Sequence, residues 1–298
     1  MVRTLYAKDT FSNDNILDIY TEEYCLSDEI FQKYNARVGS PGDKDTVYQR
    51  LHITNDDEFI ALVREDALYI KKYSDGTTTY SDSVNKNGGF YIARYEAGST
   101  TPRTSGSEGA TIYEIKSANG IPTFIANQTP YIYITPDQAK RLAESMYASS
   151  SFVCTLPTGA AWDRTLGWLI NTTDKTLAEI VVNSSGWGNY SDASFDVSSA
   201  AQYSTDYGSS YNSVNVSYSK QPASGVLLTT GAGQTRNVSN NIFDLAGNVF
   251  EFTTEGTGVA RGGSFSSSGL IKNVTYREYS YMNLPSSSFG FRAALYVL

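Results

Sequence analysis

The stretch DLAGNVFEFTTEGTGVARGGSF, residues 244–265, constrains this chain more than any other. It sets glycine and asparagine beside acidic and aromatic side chains, and a tail rich in Ser, Tyr and Asn follows it. Glycines in such a pattern serve close backbone approach or a positive φ, and Phe250 and Phe252 are large core fillers. The pieces VARGGSF and FGFRAALYVL read as short strands around an irregular segment. A stretch built this way either floors an active site or frames a surface that can change.

Composition narrows the choice. A chain of 298 residues can bury a substantial core and fits one large domain or two modest ones, of which two is the preferred reading. Charged residues make up 18%, below the usual quarter, so the surface is polar but weakly charged. With 23 Lys plus Arg against 31 Asp plus Glu the net charge is −8, which argues against a nucleic-acid partner. The 23 tyrosines suit a binding surface, since Tyr offers wide contact and a hydroxyl at modest entropic cost. Ordinary β-structure is the competing explanation for the tyrosines before residue 250. Cys25 and Cys154 are read as separate buried or free thiols rather than a disulfide. No apolar run approaches the ~18 residues of a membrane span, and MVRTLYAKDTFSNDN lacks a signal-peptide core. A virion or cytoplasmic location, without a signal peptide, is the expectation.

Along the chain, residues 14–36 carry apolar residues at mixed helical spacing. FIALV (59–63) and ALYIKKY (67–73) read as strands, the second followed by the Asp75-Gly76 of a hairpin turn. Residues 1–86 are thus expected to form a small N-terminal α+β domain, and residues 87–298 a second unit. There GGFYIARYEAG (88–98) predicts a strand, and YIYITPDQAKRLAESMY a strand running into a helix. Thr135 is the expected N-cap, Pro136 the first helical residue, and Ala139, Leu142, Ala143 and Met146 the buried face. In LPTGAAWDRTLGWLI, Thr158 is placed to cap a helix whose buried stripe is Trp162, Leu166 and Leu169. Residues 183–219 are rich in Ser, Gly, Tyr, Asn and Asp and read as a long loop excursion with short strands.

Five pieces, GGFYIARYEAG, the ITPDQAKRLAE helix, LPTGAAWD, DLAGNVFEF, and RGGSF with GFR, stand in an order that resembles formylglycine-generating-enzyme-like domains. The resemblance covers roughly residues 87–298 and implies an α+β, C-type-lectin-like fold. LPTGAAWD departs from the family's acid-rich version, leaving Ala161 where a capping-box acid would stand. The family's enzymes use a cysteine pair shortly after RGGS, and residues 264–298 contain no cysteine. Related iron-dependent synthases need several histidines, and His52, the single histidine, lies outside the resembling region. A thiolate or soft-metal centre cannot be built without those groups, so no catalytic residue is assigned and the chain is read as a non-enzyme.

The tail SFSSSGLIKNVTYREYSYMNLPSSSFGFRAALYVL resembles instead the variable region of a diversity-generating-retroelement target protein. Its variable part is expected at about 264–292. On that resemblance the chain is a ligand-binding display protein, encoded by a phage or prophage, that meets a macromolecular ligand, protein or glycan, on a target cell. Phe265, Ser266, Ser268, Tyr276, Tyr279, Tyr281 and Asn283 are the expected binding surface. Arg261, Gly262, Gly263, Gly290, Phe291 and Arg292 are the expected frame. Residues 1–86 would attach the protein to a larger structure such as a virion. The alternatives are an inactive structural member of the same family, an enzyme of unrecognised chemistry, or a sugar-binding lectin by fold analogy alone.

Relatives also hold calcium at the DLAGNVFEF motif. The resemblance would place Asp244 and Glu251 as carboxylate ligands and Gly247 and Val249 as backbone oxygens, a hard shell suited to structural Ca²⁺. The competing reading has Asp244 capping a turn and Glu251 pairing with Arg261. No other cofactor is expected.

Overall fold

A computed structural model describes residues 2–5, 22–28, 30–32, 43–51, 54–60, 63, 78–147, 149–172, 174–214, 218–220, 225–232, 238–256, 258–279 and 284–298. His52, ALYIKKY, Asp75-Gly76, Tyr281 and Asn283 lie outside these residues. The fold is α+β, mixing short helices with sheets that are mostly antiparallel.

The largest sheet has four strands: β1 (Val2–Leu5), β2 (Gly89–Ile92), β5 (Phe152–Thr155) and β16 (Ala294–Val297). Their order is β1-β2-β16-β5, all antiparallel, so the end of the chain lies between a strand from its beginning and one from its middle. The helix Thr78–Asn87 packs on β2 and β16. Tyr80 from that helix, Phe90 from β2 and Tyr296 from β16 form a ring cluster with centroids 5.7–6.1 Å apart. One core cluster joins Cys25, Ile30, Val47, Phe59 and Val63 to Phe90, Trp162 and Tyr296. Sheet and core therefore both cross the expected boundary at 86/87.

Local signals account for the helices. In the helix Pro136–Glu144, Thr135 caps the amide of Gln138, whose side chain returns to the Thr135 amide at 3.1 Å, and Pro136 opens the first turn. Ala139, Leu142 and Ala143 are buried as expected, and Met146, past the end, is half-buried. In the helix Gly159–Asn171, Thr158 accepts from the Ala161 amide at 2.9 Å, which gives half a capping box, because Ala161 has no side chain to reach back. Trp162, Leu166 and Leu169 are its buried stripe. FIALV is a correction: residues 56–60 and 63 are helical. Asn55 caps this turn through the Glu58 amide at 2.9 Å while Glu58 returns to the Thr54 amide at 2.6 Å, and that local network wins over the β-branched run.

The remaining strands are short. β13 (Phe250–Phe252) lies between β14 (Ala260–Arg261) and β15 (Phe289–Phe291), antiparallel to the first and parallel to the second. The excursion after residue 183 forms paired short strands at Phe195–Val197 with Tyr218–Lys220 and at Gln202–Ser204 with Asn212–Ser213 and Leu227–Leu228. The β13 sheet fixes both ends of the Ser- and Tyr-rich tail.

Candidate functional site

The tail leaves Arg261 through two glycines and returns at Gly290. Gly263 has φ +75°, and a Cβ there would come within 2.3 Å of the Lys272 carbonyl oxygen, so both conformation and space require glycine. Gly247 is equally constrained: φ is +75° and a Cβ would lie 2.3 Å from the Asn189 carbonyl oxygen.

Arg261 is fully buried and pairs with Glu255 at 2.9 Å and with Asp163. Arg277 meets the same two carboxylates, donating from Nε to Glu255 at 2.6 Å and from Nη2 to Asp163 at 2.8 Å. The result is a closed network of two guanidiniums and two carboxylates between the helix Gly159–Asn171 and the tail. Burial pulls the Arg277 pKa down, but Asp163 and Glu255 outweigh it and hold the group above its ordinary value. The spacing of the sequence did not reveal Asp163, Glu255 or Arg277 as partners, although Asp163 stands inside LPTGAAWD and Arg277 inside the expected variable segment.

Arg292 anchors the return. Its Nη2 donates to Glu251 Oε1 at 2.6 Å and to the Phe243 carbonyl at 2.8 Å, and Nη1 donates to the Ala93 carbonyl at 2.9 Å. Its Nε donates to the other oxygen of Glu251. Glu251 thus pairs with Arg292 rather than Arg261, although Glu251 and Arg261 sit opposite each other in the β13–β14 ladder. Burial raises the Glu251 pKa and Arg292 opposes that rise.

These facts test the calcium set. Both Glu251 oxygens are engaged by a guanidinium, Asp244 accepts from the Gly231 amide, and Asp244 adopts φ +56° within the turn. Among the described residues no group of three His, Cys, Asp or Glu side chains is arranged to hold a metal. Asp244, Gly247, Val249 and Glu251 therefore do not fit a calcium shell, because a hard cation would have to displace Arg292. Asn248, with φ +58°, is the polar hub of the motif. Its side chain pairs with both the amide and the carbonyl of Leu228 at 3.0 and 3.1 Å, accepts from Asn189 at 2.9 Å, and donates to Glu96.

The expected frame residues Arg261, Gly262, Gly263, Gly290, Phe291 and Arg292 are all buried. The expected surface divides. Ser266 is exposed and Tyr279 half exposed. Ser268 is half-buried and donates to Asp192 at 2.6 Å, and Asp192 also accepts from the Gly269 amide at 3.0 Å and from Ser185 at 2.7 Å. Burial works against the Asp192 charge, yet these donors hold its pKa below the ordinary value. Tyr276 is half-buried, its ring 6.5 Å from Phe250. Phe265 is a correction: it is fully buried, in a cluster with Ile132, Leu227 and Val249. Those partners come from three other parts of the chain, which is why its place in the tail suggested exposure.

Beside Ser266 opens a cavity of about 240 Å³. Phe250 and Phe289, stacked with centroids 5.3 Å apart, line one part of it, and a row of serine hydroxyls lines another. Lys272 and Glu278, paired at 2.5 Å, complete it. Two tyrosines not expected from the sequence lie near Phe265. Tyr207 is largely exposed, 6.2 Å from the Phe265 ring, and Tyr133 donates to its carbonyl at 3.4 Å. Both hold positive φ, +61° and +54°, which is unusual for aromatic residues. Asp206 pins the Tyr207 turn by accepting from Ser210 Oγ at 2.6 Å, from the Ser210 amide at 2.9 Å and from Ser204 Oγ at 2.7 Å. The Ser210 and Ser204 hydroxyls bring the Asp206 pKa down to about 2.

No family model matches the chain, and no curated protein matches it. Among solved structures, Treponema denticola variable protein 1 is a distant match, with 21% identity and a TM-score of 0.26. The match covers 48% of this chain and 47% of that one, so this chain spans about half the length of the structure it matches.

Proposed function

We propose that the chain is a ligand-binding display protein of the diversity-generating-retroelement kind, with a C-type-lectin-like frame presenting a changeable tail to a macromolecular ligand. One observation carries this reading: the tail is clamped at both ends by buried arginine networks, while Ser266 and Tyr279 between them are exposed, Ser266 lining a cavity. A frame that bears the stability leaves the exposed side chains between its ends free to change, because exposed substitutions usually alter stability by within about 0.5 kcal/mol. Tyr133 and the largely exposed Tyr207, next to each other near Phe265, add two tyrosines held at positive φ. Strained residues held by their surroundings concentrate at functional sites, and exposed aromatics are the usual anchors of an interface.

Binding rather than catalysis is also supported by the thiols. Cys25 and Cys154 are both buried, and burial, with Glu144 nearby, pushes the Cys154 thiol up to about 11, far from a reactive thiolate at neutral pH.

The test is the neighbouring DNA. The expected result is a reverse-transcriptase gene and a near-copy of the codons for roughly residues 264–292, differing from them at adenines. Finding neither would leave the chain as a structural member of the same fold.

A further inference from the structure

The turn at residues 204–210 carries a charge that nothing in the described part of the chain answers. Asp206 is exposed; its Oδ1 accepts from Ser204 Oγ at 2.7 Å and from the Ser210 amide at 2.9 Å, and its Oδ2 accepts from Ser210 Oγ at 2.6 Å. These donors hold the carboxylate ionised and in place, yet Oδ2 keeps a lone pair, and Asp206 has no cationic partner among the described residues. The next residue, Tyr207, is 60% exposed, and its ring stands 6.2 Å from that of Phe265, the neighbour in sequence of the exposed Ser266. Tyr207 has φ +61°, so a strained backbone holds this ring in solvent instead of in the core.

The charge around the turn has one sign. Residues 176–219 contain Glu179, Asp192, Asp196 and Asp206 and neither lysine nor arginine. In the tail all four cationic side chains are taken by carboxylates: Arg261 and Arg277 by Asp163 and Glu255, Lys272 by Glu278, and Arg292 by Glu251. Arg103, beside Tyr133, is 4% exposed and donates to the carbonyls of Ile132 and Tyr133. A phosphate, a sulfated glycan or an anionic headgroup would therefore meet uncompensated negative charge at this turn. A cation would meet an ionised carboxylate next to an open aromatic ring.

We propose that Asp206 and Tyr207 form a fixed contact for an arginine side chain of a protein ligand, beside the tail that changes. A guanidinium lays a planar face on a tyrosine ring while giving N–H donors to a carboxylate, whereas an ammonium is a strongly hydrated point charge. Both residues lie outside 264–292, so they stay constant while the tail varies and give the ligands of different tails one shared requirement. The proposal rests on the display reading for the ligand's role, and on the turn's own residues for its chemistry.

The test is an amide-resolved NMR titration of the full chain with Nα-acetyl-arginine methylamide, set against its lysine analogue, its uncharged citrulline analogue and inorganic phosphate. The arginine probe is expected to give saturable shifts at the Asp206, Tyr207 and Ser266 amides that shrink in about 0.5 M sodium chloride. The lysine probe should bind at least about threefold more weakly, and the citrulline and phosphate probes should leave these amides unmoved. Asp206→Asn keeps an acceptor for Ser204 and the Ser210 amide but removes the charge, and should weaken the arginine probe at least about fivefold in a folded protein. Should that variant lose the turn, Tyr207→Asn, a residue suited to positive φ, removes the ring instead and should weaken the probe to a similar extent. No saturation at these amides by the arginine probe, equal binding of the lysine or citrulline probe, or undiminished binding by a folded variant would each overturn the proposal. None of these results bears on the neighbouring DNA, so the arginine contact and the display reading can fail separately.

Discussion

At the scale of single residues, the buried charges decide most. Arg292 carries the Glu251 carboxylate and two backbone carbonyls at once. Arg292→Ala would strand a buried carboxylate, and such losses cost about 3–5 kcal/mol. Chemical denaturation should show a drop of that size, partly recovered when Glu251→Gln is added. Glu96 behaves differently. It is wholly buried, and burial followed by the nearby Asp244 and Glu251 raises its pKa well above the carboxylate range, against the opposing effects of Arg292 and Asn248. The folded state therefore keeps its proton where the unfolded chain, titrating near pH ~4.3, has lost it. Its contribution is complete below the unfolded value and falls as pH rises toward the folded one. The melting midpoint of Glu96→Gln should accordingly gain on wild type as pH rises above the unfolded value of about 4. A constant difference across that range would show that Glu96 is ionised in the fold. Of this chemistry, RGGS and GFR were legible as frame only through the resemblance that their motifs carry. The pairing was not, because Arg277 and Asp163 meet across 114 residues and nothing local couples them.

At the scale of elements, what could be read depended on how local the cause is. Thr135 and Thr158 cap helices within three residues of themselves, so sequence and structure agree there. FIALV illustrates the limit, since a five-residue apolar run fits a strand or a buried helix equally well. The deciding signal was the Thr54-Asn55 and Glu58 cap just before it. The tail is the harder case, because consecutive residues alternate between anchor and surface without a fixed period. Phe265 fills a pocket made by Ile132, Leu227 and Val249, whereas Tyr279 stands half exposed. Phe265→Ala should cost about 3–5 kcal/mol through the void it leaves, while Tyr279→Ser should stay within about 0.5 kcal/mol. Denaturation midpoints of the two variants separate the readings: equal losses would mean that the segment packs as a unit, with no side chains left over to vary.

For the whole molecule, the open question is whether residues 87–298 stand alone. Their glycine-rich motifs, helix caps and terminal arginine all belong to one pattern, and composition gave no reason to tie residues 1–86 to it. The sheet supplies that tie. β1 pairs with β2 through four residues, Val2 to Leu5, and the helix Thr78–Asn87 covers β2 and β16, with Tyr80 against Phe90 and Tyr296. Ser83 from that helix donates to the Gly89 carbonyl at 2.7 Å and accepts from the Val297 amide at 2.9 Å, so it stitches the two strands that hold the end of the chain. Cys25, Ile30, Val47 and Phe59 belong to the same core cluster as Trp162, whose indole donates to the Val274 carbonyl within the tail at 3.1 Å. Removing residues 1–86 would thus uncover Phe90 and Tyr296 and loosen the support beneath the tail, even though every tail residue is retained. The full chain should unfold in one cooperative transition. The fragment 87–298 should melt at a lower temperature and bind a hydrophobic dye that the full chain excludes. If the fragment instead melts where the full chain does, and two transitions appear in the latter, residues 1–86 are an independent domain, and the shared sheet contributes little to the frame that presents the tail.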